Sequence, residues 1–146
     1  MKVREILDAK GRDVVTVRPE DTVAGALQRL ARERIGALVV SEDGVRVTGI
    51  LSERDVVEGL ARDGADLFAT GRRVADLMTR NVVTCGPDDT SRHLMAEMTR
   101  RRVRHLPVVV GDRLVGIVSI GDVVKSRLGE VELEATVLRE AYIATH

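Results

Sequence analysis

Gly49-Ile50-Leu51-Ser52-Glu53-Arg54-Asp55-Val56-Val57 returns later in the chain as Gly116-Ile117-Val118-Ser119-Ile120-Gly121-Asp122-Val123-Val124. In each copy an apolar run reads as a strand, and the serine that follows starts a helix. Each copy sets a hydroxyl and a carboxylate three residues apart at that junction. The upstream segments repeat as well. Val82-Val83-Thr84-Cys85 answers Val14-Val15-Thr16-Val17; Pro87, Asp89 and Thr90 answer Pro19, Asp21 and Thr22; Leu106-Pro107-Val108 answers Leu38-Val39-Val40. The offset is 68 residues through this stretch and 67 from Gly49 and Gly116 onward. An ordered register of this length is an internal duplication.

Each unit reads strand–helix–strand–strand–helix. Val3, Ile6 and Leu7, at helical spacing, open the chain, and Val74-Ala75-Asp76-Leu77-Met78 echoes them. Val14 to Val17 is a β-branched strand that Pro19 ends. Asp21 or Thr22 caps a helix whose apolar face is Val23, Ala26, Leu27, Leu30 and Ala31, and Gly36 marks its end. Ala37 to Val40 is the second strand, Ser41-Glu42-Asp43-Gly44 the turn, and Val45 to Leu51 the return strand. The division is a first repeat over 1–60, a linker over 61–73, a second repeat over 74–128 and a C-terminal helix over 129–146. In that last helix Leu133, Val137 and Ala141 form one stripe, with Leu138 and Tyr142 beside it, for docking on the body or on a partner subunit. Two units of about 55 residues are each too small for comfortable stability. The expected fold is therefore α/β, of the α+β kind, with the two β-α-β-β-α units packed face to face and a ligand cleft between them.

The 146 residues carry 23 Lys+Arg against 23 Asp+Glu, so no global field favours nucleic acid or an anionic membrane. One Phe, one Tyr and no Trp leave no stacking platform for single strands. The single Cys85 forms no intrachain disulfide and no Cys-rich zinc site, and His93, His105 and His146 lack metal spacing. With no leader and no apolar run of membrane length, the expected setting is reducing and cytoplasmic. No nucleophile–base signature stands out, and no catalytic role is expected.

The paired units, each with a second strand of the Gly-Ala-Leu or His-Leu-Pro kind and a closing Gly-x-x-Ser-x-x-Asp, resemble a tandem pair of cystathionine-β-synthase (CBS) domains of the stand-alone bacterial type. The resemblance spans Val3 to about Leu128. It implies a pseudo-twofold module that binds AMP, ADP or ATP, or else NAD(H) or S-adenosylmethionine, between its repeats. It also implies a homodimer that regulates another protein.

Two readings of Ser52-x-x-Asp55 and Ser119-x-x-Asp122 stand side by side. One is a capping box, in which Ser accepts from an early N–H and Asp reaches back. The other is ribose binding, since a carboxylate accepts two hydrogen bonds from a diol while the helix N-terminus faces phosphate. The resemblance favours ribose binding for at least one copy. It further implies that Thr16 and Thr84 meet base and sugar. The backbone of Ile35, Gly36, Ala37 and Leu38, and of Leu106 and Pro107, would then read the adenine edge. Arg104, His105 and Arg54 are the phosphate candidates, Arg being able to bond two oxygens at once. His105 is equally a structural histidine. Gly49 and Gly116 mark either a close backbone approach or a simple turn. The copies are unequal: Arg54 answers to Gly121, and Gly36-Ala37 to Arg104-His105. The two clefts should therefore differ in ligand or affinity. A nucleic-acid reading rests on Arg100 to Arg104 alone, and for Arg100, Arg101 and Arg102 a helix C-terminus accounts for the charge. A ligand-free dimerising scaffold is the remaining alternative.

Overall fold

The computed structural model describes residues 1–145. His146 lies outside the described residues. The elements run α1 (Val3–Lys10), β1 (Thr16–Val17), α2 (Val23–Glu33), β2 (Ala37–Val40), β3 (Gly49–Ser52) and α3 (Glu53–Asp63). A 3₁₀ turn (Gly64–Phe68) follows, then α4 (Val74–Leu77), α5 (Ser91–Arg101), β4 (His105–Val110), β5 (Arg113–Ser119) and α6 (Ile120–Thr145).

In the first unit β1 lies parallel to β2, and β2 antiparallel to β3. The second unit has only the β4–β5 hairpin, with a lone parallel bridge from Cys85 to Val108 where a first strand was expected over Val82 to Cys85. Pro107 explains the loss. It stands where Val39 stands in the first unit, and Val39 pairs with Thr16. Proline has no N–H to donate to that ladder.

The return strand of the first hairpin is shorter than its sequence suggests, beginning at Gly49 and not at Val45. The Asp43 carboxylate accepts from the backbone N–H groups of Val45 (2.8 Å) and Arg46 (2.9 Å), and Val45 in turn accepts from Leu114 of the second unit (2.7 Å). Thr22 and Thr90 cap α2 and α5, each accepting at 3.1 Å from the N–H three residues on. These helices do not end on a glycine. Arg34 and Arg102, matched in the repeat, both take the left-handed conformation at φ 56°.

The two cores are not each built from one unit. The first holds Val17, Val23, Ala26, Leu30, Leu38, Val40 and Leu51, closed by Leu67, Val74, Leu77 and Met78. The second holds Cys85, Leu94, Met98, Leu106, Val108, Val118 and Val123, closed by Val3, Ile6 and Leu7. The short helices α1 and α4 are thus exchanged, each sealing the other unit's core. Backbone bonds repeat the exchange: Val3 N–H donates to Asp89 O (2.9 Å) and Val74 N–H to Asp21 O (2.8 Å). Arg4 donates to Pro87 and Ala75 to Pro19, both at 2.9 Å. This is the expected pseudo-twofold relation, seen in individual bonds.

The exchange accounts for two glycines. A Cβ on Gly49 would lie 2.7 Å from Met78 Sδ and 2.9 Å from Thr79 O, and one on Gly116 would lie 2.8 Å from Leu7 Cδ2. Each return strand needs glycine because the exchanged segment crosses it there, not because it turns. Gly59 likewise lets α3 approach Leu77, whose Cδ1 would be 2.6 Å from an added Cβ.

The closing helix of the second unit and the C-terminal helix are one continuous element, α6. Of the two docking surfaces expected for the tail, the body or a partner subunit, the body is not used: every described residue from Val131 onward is exposed. Gly129 does not break the helix, and no proline follows it.

Candidate functional site

The first Ser-x-x-Asp forms a complete capping box. Ser52 Oγ accepts from Asp55 N–H (3.4 Å), and Asp55 Oδ2 accepts from Ser52 N–H (2.8 Å) and from the Ser52 hydroxyl (3.1 Å). The other carboxylate oxygen, Oδ1, accepts from the Thr79 hydroxyl at 2.9 Å. Thr79 lies just beyond α4 and pairs with Ile50. Asp55 is therefore half-buried between the two units, against the segment that the exchange brings over.

The second copy has the same cap with a different partner. Asp122 Oδ2 accepts from Ser119 N–H (2.8 Å), and Asp122 N–H donates to Ser119 Oγ (3.2 Å). Lys10, the last residue of α1, donates to Asp122 Oδ2 at 2.7 Å and to Ile117 O at 3.0 Å. Burial acts to raise the Asp122 carboxyl. The Lys10 ammonium and the Ser119 N–H outweigh it and hold the group below the ordinary carboxylate value. One copy thus meets a neutral hydroxyl and the other a fixed cation.

Between the copies, the matched stretches 35–38 and 103–107 begin the second strands. The Gly36 carbonyl accepts from Glu53 N–H (3.0 Å) and the Arg104 carbonyl from Ile120 N–H (2.8 Å), a symmetric pair of bonds. His105 packs onto Gly36: a Cβ there would lie 3.0 Å from His105 Cε1 and 3.0 Å from Glu53 Oε1. The glycine is the space the histidine fills. Burial lowers the His105 imidazole below its ordinary value, against the opposing pull of Glu53, so the ring is neutral at neutral pH.

The other candidates fall into three groups. Ala37, Leu38, Leu106 and Pro107 are buried and present backbone alone, while Ile35 packs against the first core. Thr16 is half-buried in β1; Thr84 is exposed and outside any strand. Arg54 donates to the Arg102 carbonyl at 2.9 Å, capping α5 from the opposite unit. Arg100 and Arg101 are paired to Glu97 within α5 at 2.7 and 2.8 Å. Arg104 and Gly121 line an open concavity of about 770 Å³ beside α6, shared with Ile120, Val124, Lys125, Leu128, Gly129 and Glu132. Neither Asp55 nor Asp122 lines it.

Lys10 and Thr79 escaped the sequence reading. They are not matched positions, so the repeat register gave no pointer to either. Cys85 is buried in the second core, and burial pushes its thiol up to about 12, far from a nucleophile's range. Among the described residues no three His, Cys, Asp or Glu side chains converge on a metal position, and no helix is long and apolar enough to cross a membrane.

A family model for the CBS domain matches this chain twice, over residues 3–62 and 74–129. The CBS-domain containing protein ATU1752 from Agrobacterium tumefaciens superposes with a TM-score of 0.82 at 48% identity, covering 87% of this chain and 99% of its own. The CBS domain pair of protein MJ0100, solved in complex with 5′-methylthioadenosine and S-adenosyl-L-methionine, superposes with a TM-score of 0.76 at 26% identity, covering 89% of this chain and 98% of its own. The mitochondrial CBS domain-containing protein CBSX3 of Arabidopsis thaliana is 32% identical over 136 residues, 88% of this chain. The matched region spans 65% of that relative's length.

Proposed function

This chain belongs to the CBS-domain family, and from that premise we propose that it is a regulatory module. It binds an adenosine-type ligand between its repeats and passes occupancy on to a partner protein. The observation that carries the reading is the place of the two carboxylates. Each Ser-x-x-Asp sits at a helix start and faces a polar side chain on the exchanged segment, Thr79 for Asp55 and Lys10 for Asp122. A ligand bound there touches both units at once. The complex of MJ0100 with S-adenosyl-L-methionine and 5′-methylthioadenosine supports the ligand class.

The first copy is the better ribose site. A diol replaces the Thr79 hydroxyl at Asp55 by exchanging one neutral donor for another, whereas at Asp122 it has to displace an ammonium. Lys10 instead suits the second cleft to a ligand with phosphate, as in AMP, ADP, ATP or NAD(H). Binding shifts the relative pose of the repeats only as far as the ligand's affinities for the two poses differ. No catalytic step is assigned.

Thermal unfolding in the presence of AMP, ADP, ATP, NAD, NADH or S-adenosylmethionine tests the reading. A ligand at a hundred times its Kd adds about 2.7 kcal/mol to the folded state. A clear rise in Tm with at least one compound is expected. No rise with any of them would overturn the reading and leave the Ser-x-x-Asp boxes as caps.

A further inference from the structure

A cleft of about 390 Å³ opens at the far end of the first sheet from the Ser-x-x-Asp box. Ala37, at the start of β2, pairs with Ser52, whereas Val40, at its end, pairs with Val17. Val17 and the turn that follows it line the cleft. Arg29 and Arg32 of α2 line it as well, together with Arg73, which precedes α4. Gly25, Arg29 and Arg32 follow one another at spacings of four and three, so they share one face of α2. Long side chains on a helix lean toward its N-terminus. Both arginines therefore lean toward Gly25, which has no side chain to fill the space. An antiparallel bridge from Thr22 to Arg73 sets the start of α4 beside the start of α2. The exchange of α4 thus delivers the third cation.

These cations are not neutralised from within the fold. Neither Arg32 nor Arg73 forms an ion pair among the described residues. Arg29 Nε lies 3.4 Å from Glu33 Oε1 and is buried without a hydrogen bond. Glu20 and Asp21 also line the cleft, but both are engaged by Arg18. Glu20 is 3.8 Å from the Arg18 guanidinium, and Asp21 Oδ2 accepts from the Arg18 N–H at 2.9 Å. The second unit carries a closed version of the same surface. At the 68-residue offset His93 stands for Gly25, Glu97 for Arg29 and Arg100 for Arg32. Glu97 accepts from Arg100 at 2.7 Å and from Arg101 at 2.8 Å. Lys2, which stands for Arg73, is 3.7 Å from Asp88. One repeat neutralises these cations, and the other leaves them around a cleft.

We propose that this cleft is a second ligand site, which holds the pyrophosphate group of a small molecule between Arg29, Arg32 and Arg73. Each guanidinium can bond two oxygens at once. A pyrophosphate group offers an oxygen pair to all three, which a single phosphate does not. The volume lies in the range of small-molecule sites. The cleft shares no residue with the candidate adenosine site, and the inference is independent of that reading.

Isothermal titration of inorganic pyrophosphate into the full chain tests it, since this probe carries no ribose for the Ser-x-x-Asp boxes. Inorganic phosphate is expected to bind at least tenfold more weakly than pyrophosphate. Arg32→Gln and Arg73→Gln, both at exposed positions, should each weaken pyrophosphate binding at least tenfold. The sharpest variant pairs Arg29→Glu with Glu33→Arg. It reproduces the Glu97–Arg101 pair of the second unit and keeps the net charge. Its Tm should stay close to the wild-type value while pyrophosphate binding is lost. In heteronuclear NMR spectra the Thr22 and Gly25 amides should shift with added pyrophosphate. Four results would each overturn the proposal. The first is no binding of pyrophosphate to wild type. The second is wild-type affinity in Arg32→Gln, in Arg73→Gln or in the folded charge-swapped variant. The third is equal affinity for phosphate and pyrophosphate. The fourth is amide shifts confined to Arg104, His105 and Asp122, which would put the anion in the adenosine site instead.

Discussion

Lys10 and Asp122 come from different repeats, 112 residues apart, and their side chains meet at 2.7 Å. The contact exists because α1 seals the second core. It joins helix exchange, stability and candidate site in one ion pair, with side chains 33% and 24% exposed.

Lys10→Met removes the cation and leaves a part-buried carboxylate without it. With both groups partly solvated, the expected loss at pH 7 is about 1 kcal/mol. The sign follows from the direction of the shift. The Asp122 carboxyl is held below its ordinary value of 3.8, so its contribution is present above that pH and fades as pH falls through the folded value. Urea denaturation should show a gap between wild type and variant at pH 7 that narrows below pH 3.8. Equal stability at pH 7 would show that the pair contributes nothing.

Leu7→Ala tests the exchange itself. Leu7 is fully buried among residues of the second unit, so truncation should cost about 2–5 kcal/mol. Amide exchange should then quicken first in β4 and β5, and not in β1 and β2, though Leu7 precedes the first unit in sequence. Preferential loosening of β1 and β2 would contradict the exchanged packing.

Gly49→Ala and Gly116→Ala should differ although the positions are matched. The added methyl at Gly49 meets a backbone carbonyl, Thr79 O at 2.9 Å, which has little freedom to move. At Gly116 it meets the ends of the Leu7 side chain, which can rotate. We expect about 3 kcal/mol of destabilisation for the first and about 1 kcal/mol for the second, read from denaturant midpoints. The reverse order would contradict the packing described for the two crossings.

The helices and most strands were legible because each carries its own period. The duplication was legible because polar signposts such as Pro19 and Pro87 repeat in order. The exchange of α1 and α4 was not. The two segments share one apolar pattern, so either fits either core by pattern alone. Residues such as Lys10 and Thr79, whose role depends on that choice, stayed hidden with it. The lost first strand of the second unit is a one-residue effect of Pro107, which a repeat alignment alone does not flag. The glycines at 49 and 116 showed that something approached, not what. Gly36 was legible as the end of a helix and as a backbone position of the site, but not as the space that a histidine of the other repeat fills.

His105 gives the fold a pH dependence of defined sign. Burial lowers its folded value below the ordinary 6.5, so the unfolded chain binds more protons on acidification. The stability tied to the neutral ring is present above pH 6.5 and declines as pH falls below it. Glu53 and Asp122 oppose the shift, while Lys10 and Arg104 add to it. His105→Gln should flatten the loss of Tm between pH 6.5 and the carboxylate range, as measured by thermal melts across a pH series. An unchanged slope would assign that loss to other groups.

Isothermal titration of the best stabilising ligand into wild type, Asp55→Asn and Ser52→Ala is the most direct test of ribose binding at the first Ser-x-x-Asp. Asp55→Asn should weaken binding at least tenfold, about 1.4 kcal/mol, because a carboxylate accepting from a diol is replaced by a neutral amide. Ser52→Ala, which removes the cap hydroxyl but keeps the carboxylate, should lower Tm yet leave affinity within a few fold. Wild-type affinity in Asp55→Asn, or equal loss in both variants, would contradict a ligand-binding role for Asp55 and return the motif to capping alone.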